Sequence, residues 1–124
     1  MHIALIIEDD ATVRGYLKRI IQMKFSFNIS EAENGSEGLA ALQQLKPDII
    51  FLDISMPVMN GIEFLQKIKV DPNFSTIPIL VITAHNDKDS IQKMIQLGVT
   101  DYILKPIDPE ITFSRIQKVI DNLK

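Results

Sequence analysis

The chain contains no cysteine. That single absence excludes a disulfide scaffold, a thiolate metal site and a cysteine nucleophile. Long apolar runs are missing too. The N-terminal apolar stretch, Ile3 to Ile7, stops at Glu8-Asp9-Asp10, whereas a membrane span needs about 20 apolar residues and a secretory signal needs a basic leader with a longer apolar region. No membrane partner is expected, and the expected location is cytoplasmic. A basic stripe is also lacking. Sixteen acidic residues outweigh 13 basic ones, and no block of like charge exceeds those three acids. Sequence-independent binding to DNA or RNA therefore has no electrostatic footprint, and no direct nucleic-acid partner is expected. There is no internal repeat, low-complexity segment or linker. What remains is a chain of 124 residues, 46% hydrophobic and 23% charged. This balance suits one globular domain over residues 1–124, large enough to hold a core without metal or disulfide.

Short apolar runs alternate with amphipathic segments. Ile3 to Ile7 is rich in branched residues and too short for a core helix, so it reads as a buried strand. From Ala11, Val13, Leu17, Ile20 and Ile21 recur at helical spacing, with Arg14, Lys18 and Arg19 as polar residues between them and Asp10 as N-cap. A weaker strand is predicted around Phe27–Ile29, followed by a break at Asn34-Gly35. Leu39, Leu42 and Leu45 mark a second helix ended by Pro47. Ile49 to Leu52 is the strongest strand and ends at Asp53; a loop from Ile54 to Gly61 leads to a third helix on Ile62, Leu65 and Ile68. Ile77 to Ile82 reads as a fourth strand, with Pro78 tolerated near its start. Ile91, Met94 and Ile95 pattern a fourth helix closed by Gly98. Asp101 to Leu104 is a short fifth strand. Asp108-Pro109-Glu110 opens a last helix, whose core face is Phe113, Ile116, Ile120 and Leu123. Met56, Met59 and Met94 read as gap-fillers.

Five strand–helix pairs in strict alternation imply an α/β fold, a five-stranded parallel sheet flanked by five helices. In such folds ligands bind outside the carboxyl ends of the strands. Glu8 and Asp9 follow the first strand, Asp53 ends the third, Thr83 the fourth, and Lys105 follows the fifth. If two of the carboxylates lie about 5 Å apart, they repel by roughly 3 kcal/mol at an effective dielectric of 20. Such a cluster calls for protons, an opposing lysine or a cation. All-oxygen ligands favour a hard cation such as Mg²⁺, and Lys105 is a compact charge suited to a carboxylate or a phosphoryl oxygen. Asp53 alone would read as a helix-capping aspartate, but Glu8, Asp9 and Lys105 beside it make a functional set. Asp10, by contrast, reads as a cap.

Four segments, each at a strand end and in order, carry a resemblance. They are Ile6-Ile-Glu-Asp9, Leu52-Asp-Ile-Ser-Met-Pro57 with Gly61, Val81-Ile-Thr-Ala84 and Asp101-Tyr-Ile-Leu-Lys-Pro106. The chain resembles, over its whole length, the receiver domains of two-component response regulators, in particular stand-alone chemotaxis-type regulators. The resemblance implies a flavodoxin-like strand order of 2-1-3-4-5. It makes Asp53 the acceptor of a phosphoryl group from a sensor histidine kinase or histidine phosphotransfer protein. It implies Mg²⁺ held by Asp9, Asp53 and the backbone carbonyl of Ser55, with Glu8 acting through a coordinated water. Lys105 would pair with Asp53 and then with the phosphoryl group, Thr83 would read a phosphoryl oxygen, and Tyr102 matches the family's switch aromatic. The Lys105-Pro106 bond would be cis. The surface of the fourth helix, fifth strand and fifth helix would face a downstream protein target, as a monomer or a phosphorylation-promoted dimer, and the chain would contribute to its own phosphorylation and dephosphorylation without being an enzyme in the ordinary sense. His85 reads as a solvated loop histidine.

Other readings place the same features differently. The chain is also readable as a receiver excised from a hybrid histidine kinase or a multidomain transcription factor. An aspartate-nucleophile phosphatase would carry a second Asp two residues after the nucleophile, where this chain has Ser55. A flavin-binding module would need a Gly/Ser/Thr-rich phosphate loop after the first strand, where Glu8-Asp9-Asp10 would repel the phosphate.

Overall fold

The computed structural model describes residues 2–54, 61–84 and 87–123. Strands and helices alternate through β1 (His2–Ile7), α1 (Ala11–Lys24), β2 (Phe27–Ala32), α2 (Gly35–Leu42), β3 (Ile49–Asp53), α3 (Gly61–Lys69), β4 (Ile79–Thr83), α4 (Lys88–Gln96), β5 (Asp101–Leu104) and α5 (Pro109–Asp121). The sheet is wholly parallel in the order β2-β1-β3-β4-β5. That order reverses direction between β1 and β3, and the carboxyl ends on either side of such a switch point flank a crevice.

Each face of the sheet carries its own core. Leu5, Ile7, Ile50, Leu52, Ile79 and Val81 meet Phe64, Leu65 and Ile68 of α3 and Met94 of α4 on one side. Ala4, Ile6, Phe51, Leu80, Ile82 and Ile103 meet Leu17, Ile20 and Ile21 of α1 and Ile116 and Val119 of α5 on the other. The central strands are apolar at nearly every position because helices cover both faces, leaving no polar alternation to read.

Capping fixes where several helices begin. Asp10 accepts from the amides of Thr12 and Val13, Asn34 from Glu37, Asp87 from Ser90, and Asp108 from Glu110 and Ile111. These side chains satisfy amides that the first helical turn leaves without partners. Asn34 is thus a cap rather than only a break. The second helix stops at Leu42, earlier than Leu45 and Pro47 suggest. Beyond it the Leu45 amide still reaches the Ala41 carbonyl at 3.0 Å, one last turn that the helix does not extend. Strand β2 runs to Ala32, longer than its polar sequence signals, because its pairing with β1 continues through Ile7↔Ala32. Strand β4 begins at Ile79, later than Ile77, although the Pro78 carbonyl still accepts from the Ile50 amide of β3 at 3.0 Å.

Core assignments change on α3, α4 and α5. Phe64 is fully buried where Ile62 is only partly so, since the inward face of α3 runs Gly61, Phe64, Leu65, Ile68. Ile95 of α4 is 66% exposed, leaving Met94 as the fully buried residue of that helix. On α5 the buried line is Thr112, Ile116 and Val119, with Phe113, Ile120 and Leu123 packed at its margin. Past α4, Gly98 takes φ +77°, a left-handed conformation that favours glycine. Its carbonyl accepts from Lys69 Nζ at 3.1 Å, and burial of this amine lowers its pKa. No helix among the described residues is long and apolar enough to cross a membrane.

Candidate functional site

The site is built at the carboxyl ends of β1, β3, β4 and β5. Because Ile7 pairs with Leu52 and Leu52 with Val81, the residues just beyond these pairs arrive at the same level of the sheet. Glu8 follows Ile7, and Asp53 follows Leu52. Side chains alternate along a strand. Asp53 therefore shares the sheet face of Phe51, whose core lies under α1 and α5, whereas Thr83 shares that of Val81, under α3 and α4.

Glu8 and Asp53 are almost completely buried, and Asp9 is exposed beside them. One carboxylate oxygen from each of the three lies within 4.8 Å of the others. Lys105 reaches into the cluster, its Nζ 3.2 Å from Glu8 Oε1 and 3.7 Å from Asp53 Oδ2. Its backbone is anchored to the neighbouring strand, the Lys105 amide donating to the Thr83 carbonyl at 2.8 Å. The Lys105-Pro106 peptide bond is cis, as the resemblance implies. Gly61 closes the floor from the α3 side. Its amide donates to the Ile54 carbonyl at 3.1 Å, and a Cβ there would meet the Ile54 Cα and lie 2.8 Å from the Asp53 carbonyl oxygen.

Burial pushes the Glu8 carboxyl up to about 7; hydrogen bonding and charge from Asp53 push the same way, and the Asp10 amide and Lys105 oppose them. This is what elementary electrostatics requires when two buried carboxylates face one ammonium. Among the described residues, buried Glu8 Oε1 has no hydrogen-bond donor of good geometry despite the nearby Lys105. Three carboxylates against one lysine leave two negative charges uncompensated when all are ionised. A divalent cation matches that deficit, and hard oxygen donors clustered at this spacing, with water completing the set, suit Mg²⁺. The residues present fit the ion.

Of the other sequence-derived candidates, Thr83 is buried at the end of β4 and lies on the opposite sheet face from Asp53. Tyr102 stands half-buried on β5, packed against the core under α3 and α4. The Arg115 guanidinium lies 5.8 Å from its ring centroid and also pairs with Asp101 at 2.8 Å. Thr83 and Tyr102 share a sheet face, since Val81 pairs with Tyr102. Ser55, Met56, Met59 and His85 lie outside the described residues. Asp10 caps α1 and takes no place among the clustered carboxylates.

Sequence patterning missed Arg14, read there as one polar residue between core positions of α1. Its side chain is 13% exposed, and Nη1 donates to the Glu8 carbonyl at 2.7 Å. The only signal was its place one turn into the helix that follows the acidic segment.

Residues 4–117 match the family model for the response regulator receiver domain. The chain belongs to that family. Receiver domains act in two-component signal transduction as switches rather than as ordinary enzymes, interact with histidine kinases or phosphotransfer proteins and with downstream targets, and bind Mg²⁺ at an acidic pocket. The chain is 38% identical over 117 residues to the chemotaxis protein CheY of Thermotoga maritima, covering 93% of this chain and 94% of that protein. The crystal structure of the Vibrio cholerae chemotaxis protein CheY4 superposes with a TM-score of 0.89 at 28% identity, covering 96% of this chain and 98% of that one. A signal receiver domain of a histidine kinase from Syntrophus aciditrophicus gives a TM-score of 0.91 at 27% identity, covering 100% of this chain and 93% of that one. The five-stranded order expected from the sequence resemblance is the order observed.

Proposed function

We propose that this receiver is a single-domain response regulator spanning residues 1–124, in which Asp53 accepts a phosphoryl group from a phosphohistidine on a sensor histidine kinase or histidine phosphotransfer protein. The observation that carries the reading is the buried Asp53 carboxylate held 3.7 Å from Lys105 within an acidic cluster of cation-binding spacing. A carboxylate oxygen of Asp53 attacks phosphorus, the P–N bond breaks, and its electron pair stays on the imidazole. Both reactants are anionic, so the step needs positive charge at the site. Asp9, Asp53 and the Ser55 carbonyl would hold Mg²⁺, with Glu8 acting through a water, and the bound ion would supply part of that charge. Lys105 supplies the rest and moves its pairing from Asp53 to the phosphoryl oxygens.

Thr83 then hydrogen-bonds a phosphoryl oxygen and draws the end of β4 toward the site. Tyr102, on the same sheet face, follows that movement. The arrangement that satisfies the new oxygens gains population, and the face of α4, β5 and α5 presents the changed surface to a downstream protein. Water attack on the same acyl phosphate, aided by the same groups, resets the switch, in a cytoplasmic protein that is a monomer or a phosphorylation-promoted dimer. A second reading, a receiver within a longer histidine kinase, is favoured by the full-length match to the Syntrophus receiver domain. It differs in what Asp53 signals to, not in the chemistry.

Acetyl phosphate with Mg²⁺ is expected to add one phosphoryl group, seen by intact-protein mass spectrometry and lost in Asp53→Asn. No adduct on the wild-type protein, or the same adduct on the variant, overturns the acceptor assignment. Thr83→Ala is expected to accept the phosphoryl group yet fail to change partner affinity.

A further inference from the structure

Glu8 is gripped through both of its peptide groups. Its amide donates to the Ala32 carbonyl at the end of β2, 3.1 Å away. Its carbonyl accepts from Arg14 Nη1 at 2.7 Å, and the same guanidinium returns to β2, with Nε 3.1 Å from Glu31 Oε1 and Nη2 3.8 Å from Glu33 Oε1. Glu31 and Glu33 flank Ala32, so a closed ring runs from Glu8 through Ala32 and its neighbours to Arg14 and back to Glu8. The planar guanidinium suits this task, because its fork serves a carbonyl and carboxylates at once in fixed directions. Asp9 follows the gripped carbonyl directly and is exposed. The orientation of the Glu8–Asp9 peptide plane therefore governs where the Asp9 carboxylate is aimed.

We propose that Arg14 is a positioning residue for divalent-cation binding: by holding the Glu8 carbonyl against β2 it aims the Asp9 carboxylate into the acidic cluster. The inference rests on the Mg²⁺ site of the proposed function. It extends that site to a cation that never touches the metal, tied to the end of a strand outside the acidic cluster. A positive residue beside a cation site would ordinarily weaken it by repulsion. Here Glu31 and Glu33 offset the guanidinium charge and leave its geometric role.

The test is Mg²⁺ titration of isotope-labelled protein followed by amide NMR, which reads affinity without phosphorylation. In Arg14→Met the affinity is expected to weaken about tenfold, the scale typical of lost support behind metal ligands. The metal-free Asp9 amide nitrogen is expected to shift, because the peptide it belongs to loses a charged donor. Arg14→Lys, which keeps one donor but not the fork, is expected to recover part of the affinity. Lys18→Met removes the neighbouring pair to Glu31 at 3.2 Å without touching Glu8 and is expected to stay within about twofold of wild type, since an exposed pair contributes little. A folded Arg14→Met that binds Mg²⁺ as wild type does overturns the proposal. Should that variant fail to fold, Glu31→Gln loosens the same ring from the β2 end, and unchanged affinity there overturns it equally. Wild-type protein with no Mg²⁺ response, or a response equal in Asp9→Asn, overturns the metal site itself, and the role of Arg14 falls with it; that failure shows in the wild type and Asp9 variant, not in Arg14→Met.

Discussion

Helices α1 and α4 both pack on the sheet beside strand ends that build the site, yet they are held very differently. Helix α1 has 14 residues, buries Leu17, Ile20 and Ile21, and carries Arg14, which ties the acidic segment to β2. Helix α4 has nine residues and buries Met94 alone, and β5 beside it buries only Ile103. Ile95 and Leu104 remain open to solvent there. The helix beside the acidic segment is thus fixed by deep packing, while α4 and β5 each bury a single residue of their own. The proposed function, cation binding with phosphoryl acceptance, would need the ligands of the site held in place. A surface that changes with the phosphoryl group needs two arrangements of similar free energy, which sparse burial provides.

The contrast breaks most readily in the core. Leu17→Ala should cost about 2–5 kcal/mol in urea unfolding, the range for emptying a fully buried leucine position. A loss under about 1 kcal/mol would mean that α1 is not the firm side. The next largest effect belongs to Glu8. With its folded pKa raised to about 7 from 4.5, the folded protein binds more protons than the unfolded chain between those values. Stability of the metal-free protein therefore falls as pH rises across that window, by about 3 kcal/mol at pH 7. Glu8→Gln should flatten that slope, and an unchanged pH profile of the midpoint would refute the assignment. Mg²⁺ should act on the same edge, adding about 2.7 kcal/mol at a hundredfold its Kd, an increment that Asp9→Asn should remove. At the other end of the scale, Ile95→Ser on α4 should change stability by no more than about 0.5 kcal/mol. Amides of α4 should also exchange with solvent faster than those of α1. Equal protection of the two helices would erase the comparison.

The strand ends were the legible part of the sequence. Branched apolar runs stop at Glu8, Asp53 and Thr83, and a parallel sheet delivers such residues to one edge whatever the details of its helices. Asp10 was readable as a cap, and Asp108-Pro109-Glu110 as a helix start, because a helix start leaves amides that only a local acceptor can reach. Periodicity served less well where a helix packs on one side only. Ile95 fits the apolar pattern of α4 but meets solvent, because the short helix offers the sheet a face only wide enough for Met94 and its flanking partners. Phe64 escaped notice because the inward stripe of α3 begins at a glycine, which carries no apolar signal, so the apolar pattern starts at Ile62 while its Leu65 and Ile68 are both buried.

By itself, the order of residues determined the alternation of strands and helices, the apolar centre of the sheet and the acids that end its strands. All of these follow from interactions within a few residues along the chain. Tertiary structure alone decided that two buried carboxylates share one lysine, that burial beside Asp53 raises the pKa of Glu8, and that Arg14 closes a ring through β2. Those properties depend on charge separation and burial between segments far apart in the chain, and electrostatic energy is set by distance in space.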